Sequence, residues 1–578
     1  MIENTSHCNK CDNVAPSILL LLQHHHAFSM TKNKILGKLR KFHKWPGIVI
    51  TLFVILFTVS GIFMNHRSLI SGVDLNRSWL PDDYSYQNWN KAAVKSVCQI
   101  SADSALVYGN IGVWLSVDHF KTFQDWNAGF PKGIDNRKIS KMLKTPDGKL
   151  FAGTYFGLYQ YSVIQHKWKK VQLPGSEERI TDLTVKKDDI LVQTRSFLLK
   201  SSDGKAFQTI TLPAPEGYNG KASLFKTLWL LHSGEIWGPV GKLIVDLFGL
   251  AILIISLTGL MHFIFPKWLK HRKSKQKKYT TLISARNTNL HWHNRLGWIF
   301  IPFLIFVTVT GMFLRPPLLI AIANSVVSPI PGTVLSSPNP WYDKLRRVLY
   351  DEQQHIFLFS TNDGFYFCNE NFQEPMRQPL NQPPVSIMGC NVLEKKGESS
   401  YLVGSFNGLF LWNPFTGHVV DYLSGSPYQP PKVAGPPISK DMIDGWYADI
   451  SGDEFYFDYN QGFLPIRSNV AFGEMSSEII SKSPISLWNL SLEVHTGRIF
   501  EPIFGMFYIL YVPLAGICIL IVLISGFFIW WVGYRKKQET QKNGPLKQIH
   551  FQKLLFYPHV ESQPPIHPFY SGLFHQRQ

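Results

Sequence analysis

Seven histidines sit at the ends of long apolar runs: His43, His66, His232, His262, His291, His293 and His495. A ligating side chain at membrane depth is a functional candidate by default. Imidazole is the commonest metal ligand in proteins. Two imidazoles facing each other inside an apolar helix bundle can hold a b-type haem iron from both sides. The seven sort into two layers, with His43, His262, His291 and His293 towards one face and His66, His232 and His495 towards the other. The competing reading is interfacial, because amphipathic rings settle at the headgroup level of a bilayer without ligating anything.

The elements that must position these residues are four apolar stretches: Pro46 to Met64, Pro239 to Phe265, Leu296 to Leu314 and Phe504 to Val532. A bilayer core of about 30 Å needs about 20 apolar residues in a helix, so each stretch predicts a membrane span. The formal charge of +18 is concentrated beside them. Lys32, Lys34, Lys38, Arg40, Lys41 and Lys44 precede the first span. Eight basic residues fall between Lys267 and Arg286, and five between Arg535 and Lys547. This placement fits membrane orientation better than nucleic-acid binding, and no nucleic-acid partner is expected. The positive-inside rule puts all three clusters in the cytoplasm and both long inserts outside.

The chain repeats itself. Span one begins at His43-Lys-Trp-Pro-Gly47 and closes with TVSGIF; span three begins at His293-Asn-Arg-Leu-Gly297 and closes with TVTGMF. Spans two and four follow His232-Ser-Gly-Glu-Ile-Trp-Gly-Pro239 and His495-Thr-Gly-Arg-Ile-Phe-Glu-Pro502. The protein is therefore two copies of one unit, helix–insert–helix. The duplication pairs His43 with His293 in one layer and His232 with His495 in the other, as ligands of two haem b groups. His66 and His262 have no counterpart in the second copy and compete for those roles. Asp246, an acid inside span two, has several readings: pairing with a histidine or with Lys242, a part in proton movement, or a simple buried hydrogen bond, which is the one expected. Glu235, Arg498 and Glu501 stand beside the outer histidines, either orienting them and holding acidic groups of a cofactor, or pairing at the surface.

Both inserts read as short strands separated by turns. Three segments of the first insert (from Val107, Leu150 and Ile190) and three of the second (from Ile356, Tyr401 and Gly452) share a strand, a glycine turn and an aromatic strand. Such units resemble propeller blades. The fold expected is a membrane α-helical four-helix bundle with an all-β extracytoplasmic region. That region is either one six-bladed β-propeller built from both inserts or two independent β domains. The divisions are a leader at 1–30, disordered or wrongly assigned; a basic segment and span one, 31–66; outer domain one, 67–231; span two, 232–266; a basic loop, 267–290; span three, 291–316; outer domain two, 317–487; span four, 488–534; and a cytoplasmic tail, 535–578.

Other chemistry is scarce. Cys8 and Cys11 form one CxxC, where a zinc site wants two such pairs. Cys518 lies inside a span as packing, and Cys368 and Cys390 could form a disulfide, though spacing does not decide pairing. His24, His25 and His26 could take up a metal adventitiously. No GxSxG, HExxH or P-loop is present. Asp203-Gly204 and Asp363-Gly364 read as hairpin turns.

The pieces FHKWPG with VSGIF, HSGEIWGPVGKLIVDLFGL with LTGL, and HTGRIFEP with LISGFF resemble the PepSY-associated transmembrane family. That family includes iron-regulated inner-membrane proteins of siderophore uptake, and some members look like haem-containing reductases of ferric siderophores. The resemblance covers the helices and not the inserts. It implies a bacterial inner-membrane haem protein passing electrons outward to ferric iron or a ferric siderophore. The tail is too short for a flavin or nicotinamide domain, so a quinol or a separate protein is the expected electron donor. The alternative is a membrane-anchored propeller that binds or senses a ligand without catalysis. His43 and His66 are 23 residues apart, about 34 Å along one helix, a long step for an electron. Trp298, Trp530 and Trp531 could shorten that step.

Overall fold

The computed structural model describes residues 14–385, 389–430, 439–449, 451–467 and 471–535, with side chains from Lys34 to Gly533. Cys8 and Cys11 lie outside the described residues, as do the side chains of His24, His25 and His26 and the tail beyond 535.

All four apolar runs are helical, and the helices extend past them. The first runs Val14–Asn65, taking in part of the expected leader. The second is Gly238–Ser274 and the third Thr280–Phe313. The basic stretch 267–290 is therefore helical except for a short turn between Ser274 and Thr280, rather than a loop. Its lysines and arginines are good helix formers, and helix macrodipole chemistry favours cations at the C-terminal end of the second helix. The fourth run approaches through short helical turns and continues as Tyr511–Trp530. Helix one packs against two and four, and helix three against two and four. Two short helices sit beside this bundle. Leu224–Ser233 packs on the third helix and Leu487–His495 on the first.

The inserts form small antiparallel sheets. Six have three or four strands connected in sequence order, at residues 96–125, 139–171, 180–210, 345–369, 392–421 and 443–467. We number them one to six. Their first strands are Ser96–Gln99, Ile139–Lys144, Ile180–Lys186, Leu345–Asp351, Val392–Lys395 and Ile443–Ala448. Each first strand contacts the first strands of the sheets before and after it, and that of sheet six contacts that of sheet one. The contact order is thus cyclic and includes both inserts.

The core follows the same order. Each consecutive pair of sheets has its own apolar cluster. Leu106, Tyr108 and Ile139 pack between sheets one and two. Leu191, Leu198 and Phe357 cross from the first insert to the second between sheets three and four. Val107, Trp114, Phe455 and Phe457 join sheet six back to sheet one. The centre itself is polar. The Arg347 guanidinium donates to Ser140 O at 3.3 Å, Asp182 Oδ1 at 3.2 Å and Asn391 O at 2.8 Å, tying sheets two, three, four and five together. A buried ion pair this fully bonded resists loss of either partner far more than it adds net stability.

Two minor sheets connect the copies where helices meet inserts. Asp74–Leu75 pairs with Ile485–Ser486, and Ala222–Ser223 with Val326–Val327. Cys368 and Cys390 are both buried free thiols, so the conceivable disulfide is not formed. Each packs in a separate apolar cluster.

Candidate functional site

The four repeat-related histidines come together as two pairs. The rings of His43 and His293 have centroids 6.1 Å apart and planes at 72°. Those of His232 and His495 have centroids 6.1 Å apart and planes at 56°. A metal–imidazole bond is about 2 Å and the ligating nitrogen lies roughly 1 Å from its ring centre, so two rings holding one ion between them stand about 6 Å apart.

Each ring is held in the same way. Nδ1 lies 3.0 Å from a backbone carbonyl of a neighbouring helix: Val522 for His43, Ile255 for His293, Val307 for His232 and Phe57 for His495. A carbonyl only accepts, so Nδ1 carries the proton and Nε2 keeps its lone pair. Three residues past each carbonyl stands a hydroxyl 3.1–3.4 Å from the same nitrogen: Ser525, Thr258, Thr310 and Ser60. These hydroxyls donate back into their own helices, for example Ser60 Oγ to Leu56 O at 2.6 Å, and so turn a lone pair towards the imidazole.

The residue after each hydroxyl is glycine. A Cβ on Gly311 would stand 2.7 Å from the His232 ring, and one on Gly526 2.8 Å from the His43 ring. On Gly61 and Gly259 it would stand 3.2 Å from His495 and His293. The [ST]-G dipeptide closing each apolar run is therefore an imidazole cradle. Each cradle holds a histidine of the other copy. The sequence shows these dipeptides in all four helices, but their role becomes visible only when the helices are packed, because cradle and histidine are distant in sequence.

The remaining candidates fall elsewhere. His66 Nε2 lies 2.6 Å from Asp246 Oδ2, while Asn65 Nδ2 donates to Asp246 Oδ1 at 3.1 Å. His66 is thus engaged by the acid of helix two and stands apart from both pairs. Lys242 reaches Glu235 instead, at 3.5 Å. His262 and His291 are exposed. Arg498 pairs with Glu493 at 2.5 Å, and among the described residues no hydrogen bond reaches its buried Nε, the buried Nε of Arg315 or the buried hydroxyl of Tyr511. Trp298 stacks on Trp530, with centroids 5.3 Å apart and planes at 12°. Because His495 docks at Gly61 and not near His66, the two layers are separated by the eighteen residues from His43 to Gly61, about 27 Å of helix.

Among the described residues no group of three or more His, Cys, Asp or Glu side chains is placed to share an ion. A four-coordinate zinc would want ligands these pairs do not bring. A porphyrin iron needs only two axial imidazoles. The donor set, the ring spacing and the glycine cradles all fit that second demand.

A family model described as PepSY-associated TM region matches the chain twice, over residues 18–265 and 266–533, one match to each copy. No curated protein matches the chain. Among solved structures, the extracellular domain of a hybrid two-component system from B. thetaiotaomicron is 12% identical, with a TM-score of 0.33, over 65% of this chain and 33% of that one. PorZ of the type-IX secretion system of Porphyromonas gingivalis is 8% identical, with a TM-score of 0.30, over 65% of this chain and 39% of that one. The match therefore spans well under half the length of those proteins.

Proposed function

The chain belongs to the PepSY-associated transmembrane family, and from that premise we propose that it is an inner-membrane b-type haem protein passing electrons outward to ferric iron or a ferric siderophore. One observation carries the reading. Two imidazole pairs, at opposite ends of one bundle, share the same 6.1 Å spacing and the same carbonyl–hydroxyl–glycine cradle. His43 with His293 would hold one haem and His232 with His495 the other. When bound, haem supplies one-electron transfer. The chain's own part is to fix each tautomer through Nδ1, to present Nε2, and to keep the pair in an apolar surround.

The basic helix ends mark the cytoplasmic face in this reading, and the six sheets lie in the periplasm. The cyclic contact order and the separate cluster at each sheet interface support a six-bladed β-propeller with three blades from each insert. A quinol or a separate protein supplies the electrons. Glutamate, arginine and tyrosine groups around the sheet-side pair, including the Arg315 Nε and Tyr511 hydroxyl that no hydrogen bond reaches among the described residues, would meet the polar edge of a bound cofactor.

The test is a reduced-minus-oxidised visible spectrum with haem extraction, on full-length protein purified from haem-sufficient cells. Two b-type haems per chain are expected. A folded, monodisperse and colourless preparation would sink the reading and leave an anchored ligand-binding protein.

A further inference from the structure

The chain leaving helix one carries a clamp that the cradles do not explain. Arg67 opens the single helical turn Arg67–Ile70. Its guanidinium lies between two aromatic rings, with Cζ 3.6 Å from the Tyr155 ring centre and 3.8 Å from that of Trp488. The same group forks onto Asp135, Nε donating to Oδ2 and Nη2 to Oδ1, both at 2.7 Å. The Arg67 side chain is 14% exposed and the Asp135 side chain 0%. A planar fork that is both stacked and bidentate has one orientation, which an ammonium could not match.

The partners of Arg67 come from separate parts of the molecule. Tyr155 lies in the turn between two strands of sheet two, Leu150–Thr154 and Gly157–Ser162. Asp135 lies in Ile134–Arg137, which joins sheets one and two. Trp488 belongs to the short helix that ends at His495. Two further bonds draw the same parts together. Ile134 N donates to both carboxylate oxygens of Asp74 at 3.1 Å, and Lys138 Nζ donates to Asn489 Oδ1 at 2.9 Å.

The place of Trp488 on its helix gives the clamp a consequence. It precedes His495 by seven residues, close to two turns, so both side chains leave the same face. Both meet helix one there. Trp488 Nε1 donates to Met64 O at 3.2 Å, and His495 Nδ1 lies 3.0 Å from Phe57 O. Phe57 and Met64 are seven residues apart as well. The short helix thus rests on helix one at two points about 10 Å apart. Arg67 fixes the first point, and the second is the imidazole itself. The second copy has no such clamp: Pro317 stands where Arg67 would be and Phe225 where Trp488 would be. Its short helix is tied to the inserts by the pair Lys226–Asp343 instead.

We propose that Arg67, held from the sheets by Asp135, is the positioning residue of His495. It fixes the rotation of the short helix and so the plane in which the imidazole is offered to iron. The inference rests on His495 being an axial ligand, and it makes the His495 side of the sheet-end pair answer to sheets one and two.

The experiment uses the full chain in detergent, with two readouts. Amide exchange over residues 487–495 reports how the short helix is seated and needs no haem. Low-spin ferric EPR of the haem-loaded protein reports the angle between axial imidazole planes in each layer. Arg67→Lys keeps a cation beside Asp135 and loses the fork and the stack. It should raise exchange over 487–495 about tenfold and leave 224–233 unchanged. It should also shift the EPR signal of the sheet-end haem and leave the basic-end signal in place. Trp488→Leu should act in the same way, whereas Trp488→Phe, which keeps a ring against the guanidinium, should stay close to the parent. A role in stability alone would lower the thermal midpoint and move neither signal. The inference is overturned if folded Arg67→Lys leaves either the exchange over 487–495 or the sheet-end signal at the parent value, or if both layers shift alike. A parent protein without haem would sink the proposed function and the ligand role of His495 together, while the exchange profile would still decide whether Arg67 seats the short helix.

Discussion

The imidazole pair at the basic end of the bundle and the pair at the sheet end are chemically alike and mounted differently. His43 and His293 project from the long spanning helices one and three, and helices four and two cradle them. His232 and His495 end the short helices Leu224–Ser233 and Leu487–His495, and helices three and one cradle them. Both short helices are continuous with minor strands at the foot of the inserts, Ala222–Ser223 and Ile485–Ser486. Lys226 of the first short helix also reaches Asp343 at the entry to sheet four. One pair is thus set by the bundle alone, and the other by the bundle and the sheets together. Each copy carries the cradle twice, and duplication brings the number to four. Where each histidine is rooted decides what else can move it.

The largest effect that would break this comparison comes from the histidines themselves. His232→Ala or His495→Ala should lower the haem content from two per chain to one and leave the basic-end haem spectrum intact. His43→Ala or His293→Ala should do the converse. Extraction of haem from each purified variant, with redox titration of what remains, measures both. If one substitution empties both layers, or any two from different pairs act as one, the pairing is wrong.

A smaller effect sharpens the comparison within each pair. Both layers contain one tight cradle and one looser one. The added Cβ would stand 2.7 Å from His232 at Gly311 and 2.8 Å from His43 at Gly526, closer than real Cβ contacts allow. At Gly61 and Gly259 the distance is 3.2 Å, which a few tenths of an ångström of movement would relieve. Gly311→Ala and Gly526→Ala should therefore cost most of the haem in their own layer, and Gly61→Ala and Gly259→Ala only a minor part. Equal losses from all four would show that the rings are not held against the glycines.

Much of this was legible in the sequence, for identifiable reasons. The spans are readable because a bilayer demands long apolar runs. The pairing of His43 with His293 and of His232 with His495 is readable because duplication places equal residues at equal depth. Each first strand of the six sheets escapes notice. The recognisable segments begin at the second strand, from Val107, Leu150, Ile190, Ile356, Tyr401 and Gly452. The first strands carry Lys141, Asp182, Arg347, Glu394 and Asp444 towards a polar axis, which breaks the apolar pattern that marks a strand. The helical continuation through the basic stretch after helix two is hidden for a related reason, since charge resembles loop composition when only polarity is read. His66 lies at the depth of the outer pair, and the packed structure shows which histidine Asp246 meets.

The smallest effect concerns His66. The His66–Asp246 pair exists in one copy only, since helix three has Arg315 and prolines where helix one has Asn65, His66 and Arg67. With side chains 29% and 15% exposed, the pair lies between the surface and buried classes, and its loss should cost roughly 1–2 kcal/mol. His66→Ala should thus lower the thermal midpoint modestly, and Asp246→Asn less, because asparagine keeps a carbonyl oxygen to accept from Asn65. Neither should change the haem content. Loss of a haem in His66→Ala with His232 and His495 intact would make His66 a ligand, and the sheet-end pair would then be asymmetric where the basic-end pair is not.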